Sequence, residues 1–208
     1  MNPIVLIGAG GHAASCIDVI ETGGNFRVAG IVGMDGELNR RVCGYEVIGT
    51  DQDLAKLAAE YRYALITVGQ IKSAEDRIRL YRQAREAGFV FPYIGSAHAY
   101  ISKHAHVGAG SIVMHGAVVN ANARVGENCI INSRALIEHD TEVGDHCHIS
   151  TGAILNGNGI IGDCCFIGSG ALTMHGISIG ANCLVGIASV VRHDLPDKTS
   201  YWAGNLHA

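Results

Sequence analysis

The stretch from Val107 to Ile149 reads VGAGSIVMHGAVVNANARVGENCIINSRALIEHDTEVGDHCHI, and an aliphatic residue returns at every sixth position. The same period runs without a slip from Ile101 to Val191, where fifteen of 16 first positions are aliphatic. The fifth residue of each six-residue unit (hexad) is small almost throughout. Helices repeat at 3.6 residues and strands at 2, so neither explains the pattern. The repeat predicts a β-solenoid.

The hexads have a structural explanation that needs no chemistry. Burying one aliphatic side chain stabilises a fold by about 1.5–3 kcal/mol before conformational entropy is counted.

A ladder of cysteines at 18-residue steps occupies the small positions: Cys129, Cys147, Cys165 and Cys183. Tetrahedral zinc needs ligands that converge on one point, and a ladder spreads them along a line. We therefore interpret the cysteines as core fillers and expect no metal.

The first half of the chain follows a different rhythm, in which strands alternate with helices. Apolar runs predict strands at 4–7, 28–32, 64–68 and 90–94, and amphipathic spacing predicts helices at 13–20, 51–61 and 74–87. This order is typical of a small parallel sheet with helices on its faces. The fold class is therefore mixed, with a Rossmann-like α/β domain over residues 1–98 and a β-helix domain over 99–208.

Composition excludes several functions. The net charge is −4 and no run of Lys or Arg occurs, so nucleic acid is not an expected partner. No apolar stretch approaches the roughly 18–20 residues that a spanning helix requires, so no membrane span is expected. The first residues lack the basic region of a signal peptide, which predicts a cytoplasmic location and reduced cysteines.

A glycine-rich turn follows the first predicted strand and opens a helix. Glycines at such a turn let the backbone approach a phosphate, and the helix N-terminus favours its negative charge. Asp35, at the end of the second strand, is placed to accept a hydrogen bond from a ribose or a base. The alternative is an ordinary tight turn with a surface aspartate. A nicotinamide dehydrogenase is disfavoured, because about four strands cannot form the usual sheet of six.

Four motifs together resemble one known family: VLIGAGGH at 5–12, VGMD at 32–35, TVG at 67–69 and IEHD at 137–140. The sequence is similar to the nucleotide-sugar 4-amino N-acetyltransferases and their relatives, the sialic-acid-type O-acetyltransferases, over nearly the whole chain. The resemblance implies a left-handed parallel β-helix with 18-residue coils. It also implies acetyl-CoA as co-substrate, a nucleotide-linked amino sugar as acceptor, and a homotrimer with its CoA sites between neighbouring β-helices.

The resemblance also implies the site residues. His139 is the expected general base, because imidazole titrates near neutrality, and Asp140 is the acid expected to orient it, with Glu138 as the alternative. The positions expected to bind the sugar nucleotide are Gly8, Gly10, Gly11, His12, Asp35, Gly69 and Asn132. Those expected to contact acetyl-CoA are His148, Gly157, Ser169 and Ile187, and His148 is a possible donor to the thioester oxygen.

The chain departs from the family pattern in three segments, the first of which is the end of the second strand, where the family often has two or more acids and Asp35 is here followed by Gly36. The usual His-Pro near the domain junction is replaced by Ile94-Gly95-Ser96-Ala97, and the usual C-terminal Gly-Asn-Pro-Ala-Lys is replaced by GNLHA at 204–208.

The leading prediction is an acetyltransferase acting on a 4-amino sugar, with O-acetylation of a sialic-acid-type sugar as the alternative. The third possibility is a non-catalytic scaffold that binds a nucleotide sugar. A zinc carbonic anhydrase of the same fold is disfavoured, because no histidine pair has the required four-residue gap.

Overall fold

The structure, a computed structural model, describes residues 1–202. The departure at 204–208 lies outside the described residues. The N-terminal half contains a five-stranded sheet made of β1 (Asn2–Ile7), β2 (Phe26–Gly33), β3 (Arg41–Val42), β4 (Tyr45–Thr50) and β5 (Tyr63–Ile66). Their order is β3-β4-β2-β1-β5, and all pairs are parallel except the β3–β4 hairpin. The parallel sheet confirms the prediction, whereas the hairpin was not predicted.

Three helices cover the sheet: α1 (Gly11–Gly23), α2 (Leu54–Glu60) and α3 (Glu75–Ala87). Alternate residues of β1 point to opposite faces. Ile4 and Leu6 pack with α1, and Val5 and Ile7 pack with α2 and α3. Helix α3 ends at Gly88, whose φ of 108° is costly for a residue that carries a Cβ.

The predicted fourth strand over 90–94 is wrong. Val90 makes one isolated parallel bridge to Tyr63, and the chain then leaves the sheet. Pro92 has no N–H to donate to a ladder, so the strand cannot continue through it. Strand β6 (Ile94–Gly95) instead pairs with the β-helix strand that begins at Ile112. The division of the chain into domains at residue 98 stays a prediction.

The second half is a left-handed parallel β-helix with three flat faces, in which strands pair with those 18 residues ahead, except that Leu184 pairs with Ser200, 16 residues ahead. Face 1 contains β7 (Tyr100–Ile101), β10 (Val118–Val119), β13 (Leu136–Ile137), β16 (Ile154–Leu155), β19 (Leu172–Thr173) and β22 (Val190–Val191). Face 2 contains β8 (His106–Val107), β11 (Arg124–Val125), β14 (Glu142–Val143), β17 (Ile160–Ile161) and β20 (Ser178–Ile179). Face 3 contains β6, β9 (Ile112–Val113), β12 (Ile130–Ile131), β15 (His148–Ile149), β18 (Phe166–Ile167), β21 (Leu184–Val185) and β23 (Ser200–Tyr201).

Every corner from residue 110 to residue 188 turns on a left-handed residue at the fourth hexad position. Glycine, asparagine and aspartate adopt this conformation at least cost, and they fill most of the corners. The small fifth residue follows at once and points inward, as at Ala117, Ala123 and Ala135, which are fully buried. A turn this tight limits the space beside the corner, so a small side chain fits best there. Ile177 and Leu195, in the last coils, are the large exceptions, and both are buried.

The three faces present different outer surfaces. On face 3, Ile112 and Ile130 are buried against the N-terminal half. Face 2 is mainly polar. On face 1 the outward residue of every strand is apolar, and all six are at least partly exposed: Tyr100, Val118, Leu136, Ile154, Leu172 and Val190. Face 1 is therefore an apolar stripe with nothing packed on it in the single chain over residues 1–202.

The cysteine ladder lies inside the β-helix. The Cys147 thiol donates to the Gly162 carbonyl at 3.1 Å, and the Cys147 amide donates to Cys129 Sγ at 3.4 Å. Cys129 and Cys165 make the same thiol contact with the coil above them. Within the described residues no group of three or more His, Cys, Asp or Glu is arranged to hold a metal ion, and no helix is long and apolar enough to cross a membrane.

We predict that Cys147→Ala lowers the free energy of unfolding by about 0.5–1.5 kcal/mol, because one thiol hydrogen bond is lost and little volume changes. Urea denaturation followed by circular dichroism measures this. Cys147→Leu is the matched control, and overpacking should cost it about 1–3 kcal/mol. Stoichiometric zinc that disappears in Cys147→Ala would contradict the structural role.

Candidate functional site

A cleft of about 710 Å³ opens at the carboxyl ends of the parallel strands. Strands β1, β2, β4 and β5 all end at it, and helix α1 begins there, as expected for a ligand site in an open α/β sheet. It brings together six of the residues expected to bind the sugar nucleotide: Gly8, Gly10, Gly11, His12, Asp35 and Gly69. Asn132, the seventh, does not line it.

The glycines keep the cleft open at the start of α1. Gly8 has a φ of 120°, and a Cβ there would lie 2.6 Å from Val68 Cγ2. At Gly10 and Gly11 a Cβ would meet no heavy atom within 4 Å. Gly10 caps α1 without a side chain. The backbone at the start of α1 is therefore open to an anion, which its dipole favours.

The opposite end of the cleft is polar and acidic. Arg79 pairs with Asp51 at 3.1 Å and with Asp76 at 3.7 Å. Glu37 accepts hydrogen bonds from the Met34 amide and from Arg40. Asp35 lies exposed on the single turn that follows β2. This end offers carboxylate acceptors to hydroxyl and N–H donors.

His12 and His148 form the contact between the cleft and the β-helix, with ring centroids 6.5 Å apart. His148 Nδ1 donates to the Gln70 carbonyl at 2.7 Å, and its Nε2 accepts from Asn132 Nδ2 at 3.1 Å. Burial lowers the pKa of His148 to about 4 and that of His12 to about 3, so both rings are neutral near pH 7. Both His148 nitrogens are thus engaged within the chain, and neither is free to donate to a thioester. Contact of Asn132 and His148 with ligands stays a prediction.

Arg77 connects the cleft to the β-helix by hydrogen bonds. The sequence motifs did not identify this residue. The guanidinium is buried and donates to the Val68 carbonyl at 2.6 Å, to the Asn128 carbonyl at 2.6 Å and to Asn128 Oδ1 at 3.0 Å. Burial lowers its pKa to about 10. The residue lies at apolar spacing with Leu80 and Ala84 on α3, which is the sequence feature that identifies it.

His139 and Asp140 lie together at the corner that follows face 1. His139 Nδ1 is 2.8 Å from Asp140 Oδ2, and the His139 side chain is 53% exposed. Asn122, one coil earlier, donates to Asp140 Oδ1 at 3.1 Å. These two hydrogen bonds, His139 first, lower the pKa of Asp140. The imidazole is thereby oriented with Nε2 turned away from the carboxylate.

Glu138, the alternative orienting acid, contacts other groups. It accepts from Asn120 Nδ2 at 2.9 Å and from the His139 backbone amide at 3.2 Å. Gly157 lies one coil beyond His139, and a Cβ there would be 2.8 Å from both Nε2 and Cε1 of the ring. Ser169 and Ile187 lie exposed at the corner after face 3, away from this histidine.

Neither His139 nor Asp140 lines the cleft. Asp140 borders a separate cavity of about 360 Å³ on the β-helix, lined by His104, His106, Asn122, Arg124 and Glu142. The single chain thus has a glycine-lined cleft on one part and an oriented histidine on another.

Comparison with known proteins identifies both halves. Residues 3–84 match the PglD N-terminal domain, residues 122–157 the bacterial transferase hexapeptide (six repeats), and residues 160–191 the hexapeptide repeat of succinyl-transferase. An α/β cleft domain followed by a hexapeptide β-helix defines a class of bacterial sugar-modifying transferases. No curated protein matches the sequence significantly.

Solved structures give the more specific relation. Perosamine N-acetyltransferase from Caulobacter crescentus, a histidine-to-asparagine variant in complex with CoA and GDP-perosamine, is 33% identical with a TM-score of 0.88, covering 95% of this chain and 91% of its own. The acetyltransferase domain of PglB from Neisseria gonorrhoeae, in complex with acetyl coenzyme A, is 32% identical with a TM-score of 0.87, covering 95% of each chain. WeeI from Acinetobacter baumannii, at 22% identity and a TM-score of 0.82, shares the fold. The chain belongs to the hexapeptide-repeat nucleotide-sugar N-acetyltransferase family.

We predict that Asn122→Gly raises the pKa of Asp140, because a hydrogen bond to a carboxylate favours its charged form. Glycine retains the left-handed corner, so the backbone is unstrained. NMR titration of labelled aspartate carboxyls measures the shift. Asn182→Gly, at an equivalent corner, is the control and should leave Asp140 unchanged; equal behaviour of the two variants would refute the role of Asn122.

Proposed function

We propose that this protein transfers an acetyl group from acetyl-CoA to the 4-amino group of a nucleotide-linked sugar, with His139 as the general base. The observation that supports it most directly is the Asp140–His139 pair, at 2.8 Å, on a β-helix of this family. Two relatives, one in complex with CoA and GDP-perosamine and one with acetyl coenzyme A, cover the same two halves. A cytoplasmic location stays a prediction.

The proposed acetyl transfer uses His139 and Asp140 in turn. The amine attacks the thioester carbonyl, a new C–N bond forms, and His139 Nε2 accepts the proton that the nitrogen loses. Asp140 holds the Nδ1–H and stabilises the imidazolium. The C–S bond then breaks, and the CoA thiolate leaves and takes up the proton. The missing side chain at Gly157 leaves space for the His139 ring itself, since a Cβ there would lie 2.8 Å from its Nε2.

The cleft suits a diphosphate-linked acceptor better than a free sugar. Its glycines and the start of α1 offer backbone N–H groups to an anion, and Asp35 offers an acceptor to a ribose or a base. A free sialic acid has one carboxylate to place there, so most of the cleft would have no function. This difference favours a nucleotide-linked sugar over a free sialic acid, whereas the choice of an amine over a hydroxyl rests on the resemblance to the N-acetyltransferases. The oriented His139 favours an enzyme over a scaffold.

We further propose that the active unit is a homotrimer. The six outward residues of face 1 are apolar, and a neighbouring subunit on this face would remove them from water. His139 and Asp140 come directly after β13 of the same face. A second copy on face 1 would therefore stand beside His139. The acceptor bound in the cleft of that second copy would then reach this histidine, whereas the chain's own cleft lies away from it.

For the base, we predict that His139→Ala lowers kcat by about 10²–10⁴-fold with the fold intact. Asp140→Asn should do less, because the imidazole remains. CoA thiol release measures the rates and circular dichroism checks the fold. Near-normal turnover of His139→Ala would refute the assignment, and a loss in Glu138→Gln but not in Asp140→Asn would transfer the orienting role to Glu138.

For the acceptor, we predict that a nucleoside diphosphate (UDP, GDP or dTDP) binds the protein, and that Gly10→Val abolishes this binding because its side chain enters the open end of the cleft. Titration calorimetry measures both, with Gly36→Val, also in open space, as the control. The proposal fails if none of the three binds and Gly10→Val keeps full activity.

For the assembly, native mass spectrometry should find trimers at micromolar concentration. Leu172→Asp on face 1 should dissociate them and abolish turnover, while nucleotide binding in the cleft persists. Ile160→Asp on face 2 is the control, since Ile160 is already half exposed and lies outside the stripe. A fully active monomer would contradict the trimer.

A further inference from the structure

The side chains that line the glycine-lined cleft are mostly negative, although the cleft is proposed to hold a diphosphate. They carry four carboxylates and one guanidinium: Asp35, Glu37, Asp51, Asp76 and Arg79. The guanidinium already pairs with two of the carboxylates, at 3.1 Å and 3.7 Å. The start of α1 supplies about half a positive charge, which is less than the lining opposes. The lining therefore does not by itself explain the attraction of a dianion.

Arg77 places a full positive charge beneath this cleft. Its guanidinium is 1% exposed and donates to the carbonyl of Val68, which lines the cleft beside Gly8. Burial lowers the pKa of Arg77 to about 10, so the group remains charged near pH 7. This charge acts on the cleft, because burial and then Arg77 lower the pKa of His12, which lines it.

This buried charge has no counter-charge in the described part of the chain. Over residues 1–202 no carboxylate forms an ion pair with the guanidinium, and its hydrogen bonds end on the neutral groups of Val68 and Asn128. Among the same residues, Nε of Arg77 has no hydrogen-bond partner. An unpaired buried cation is costly, because it loses its hydration and gains no opposite charge. An anionic ligand in the cleft would compensate it.

Resting on the proposed function, we infer that Arg77 is the counter-charge for the diphosphate of the sugar nucleotide and attracts it through the loop at Val68 without touching it. The protein interior screens charges less than water does, so a buried charge acts beyond its own contacts. Arg77 and the start of α1 make one end of the cleft positive, and the carboxylates make the other end negative. A nucleoside diphosphate has the matching polarity, because its diphosphate is anionic and its ribose and base carry hydroxyl and N–H donors.

An electrostatic role of Arg77 has different consequences from a structural one. If the guanidinium only held Val68 in place, its loss would weaken the binding of nucleosides and nucleoside diphosphates alike. Loss of a counter-charge weakens the binding of the diphosphate alone, since a nucleoside is neutral. Lysine retains the charge but not the paired hydrogen bonds to Asn128, so this substitution distinguishes the two roles.

Calorimetry with variants of Arg77 measures this difference. The probes are whichever of UDP, GDP and dTDP binds the unchanged protein best, and the corresponding nucleoside. Arg77→Met should lower the affinity for the diphosphate about 10-fold or more and leave that for the nucleoside unchanged, whereas Arg77→Lys should retain most of the diphosphate affinity. Arg82→Met removes an exposed arginine of the same helix and is the control. Equal diphosphate affinity in Arg77→Met, or an equal loss with the nucleoside, overturns the inference.

Asn128→Asp tests the charge while Arg77 stays in place. Asn128 Oδ1 already accepts from the guanidinium at 3.0 Å, and aspartate tolerates the left-handed corner, where φ is 50°. The new carboxylate would pair with Arg77 and neutralise it, so thermal unfolding should show a fold at least as stable while the diphosphate affinity falls about 10-fold. Asn182→Asp, at an equivalent corner, adds the same charge elsewhere and is the control.

The outcomes separate this inference from the proposed function. Undiminished diphosphate affinity in a folded Asn128→Asp protein overturns the role of Arg77 and leaves the acetyl transfer intact. If Asn128→Asp does not fold, the comparison of Arg77→Met with Arg77→Lys decides. Absence of both nucleoside diphosphate binding and turnover in the unchanged protein overturns the proposed function as well.

Discussion

The parallel pairing of two-residue strands at steps of 18 residues is the constraint on which the rest of the structure depends. It places identical hexad positions in vertical columns, so a side chain contacts its counterparts one coil away. Asn122 reaches Asp140 in this way, and Gly157 leaves space for the His139 ring. A register error of one residue would exchange interior and exterior positions and separate these contacts.

The same corner geometry supports both stability and chemistry. Asp140 occupies a left-handed corner with a φ of 59°, a conformation that aspartate tolerates better than most residues. Its carboxylate is thereby held beside the histidine that precedes it. The structural requirement at the fourth hexad position and the chemical requirement for an acid next to His139 are met by one residue, so the motif fits the repeat without interrupting it.

The sequence predicts most of the fold, because the hexad period and the strand–helix alternation are local patterns. The burial of the aliphatic column and the glycine turn at the start of α1 follow from them. The β3–β4 hairpin escaped prediction because β3 has two residues and neither is fully buried. The predicted strand at 90–94 was wrong because Pro92 directs the chain to the β-helix. The contacts of His148 with Gln70 and of Arg77 with Asn128 join residues 78 and 51 positions apart, and no local pattern contains them. The candidate residues could be named from motifs, whereas their division between a cleft and a separate corner required the structure.

The protein is proposed to use an oriented histidine as the base when acetyl-CoA acetylates an amine carried by a nucleotide-linked sugar. Release of CoA from acetyl-CoA, measured with a panel of nucleotide-linked 4-amino sugars and free sialic acids and followed by mass spectrometry of each product, tests it most directly. We expect turnover with at least one nucleotide-linked amino sugar, none with the free sialic acids, and a product amide that is stable in mild alkali. Turnover with a free sialic acid that yields an alkali-labile ester, or no CoA release with any acceptor, would contradict it.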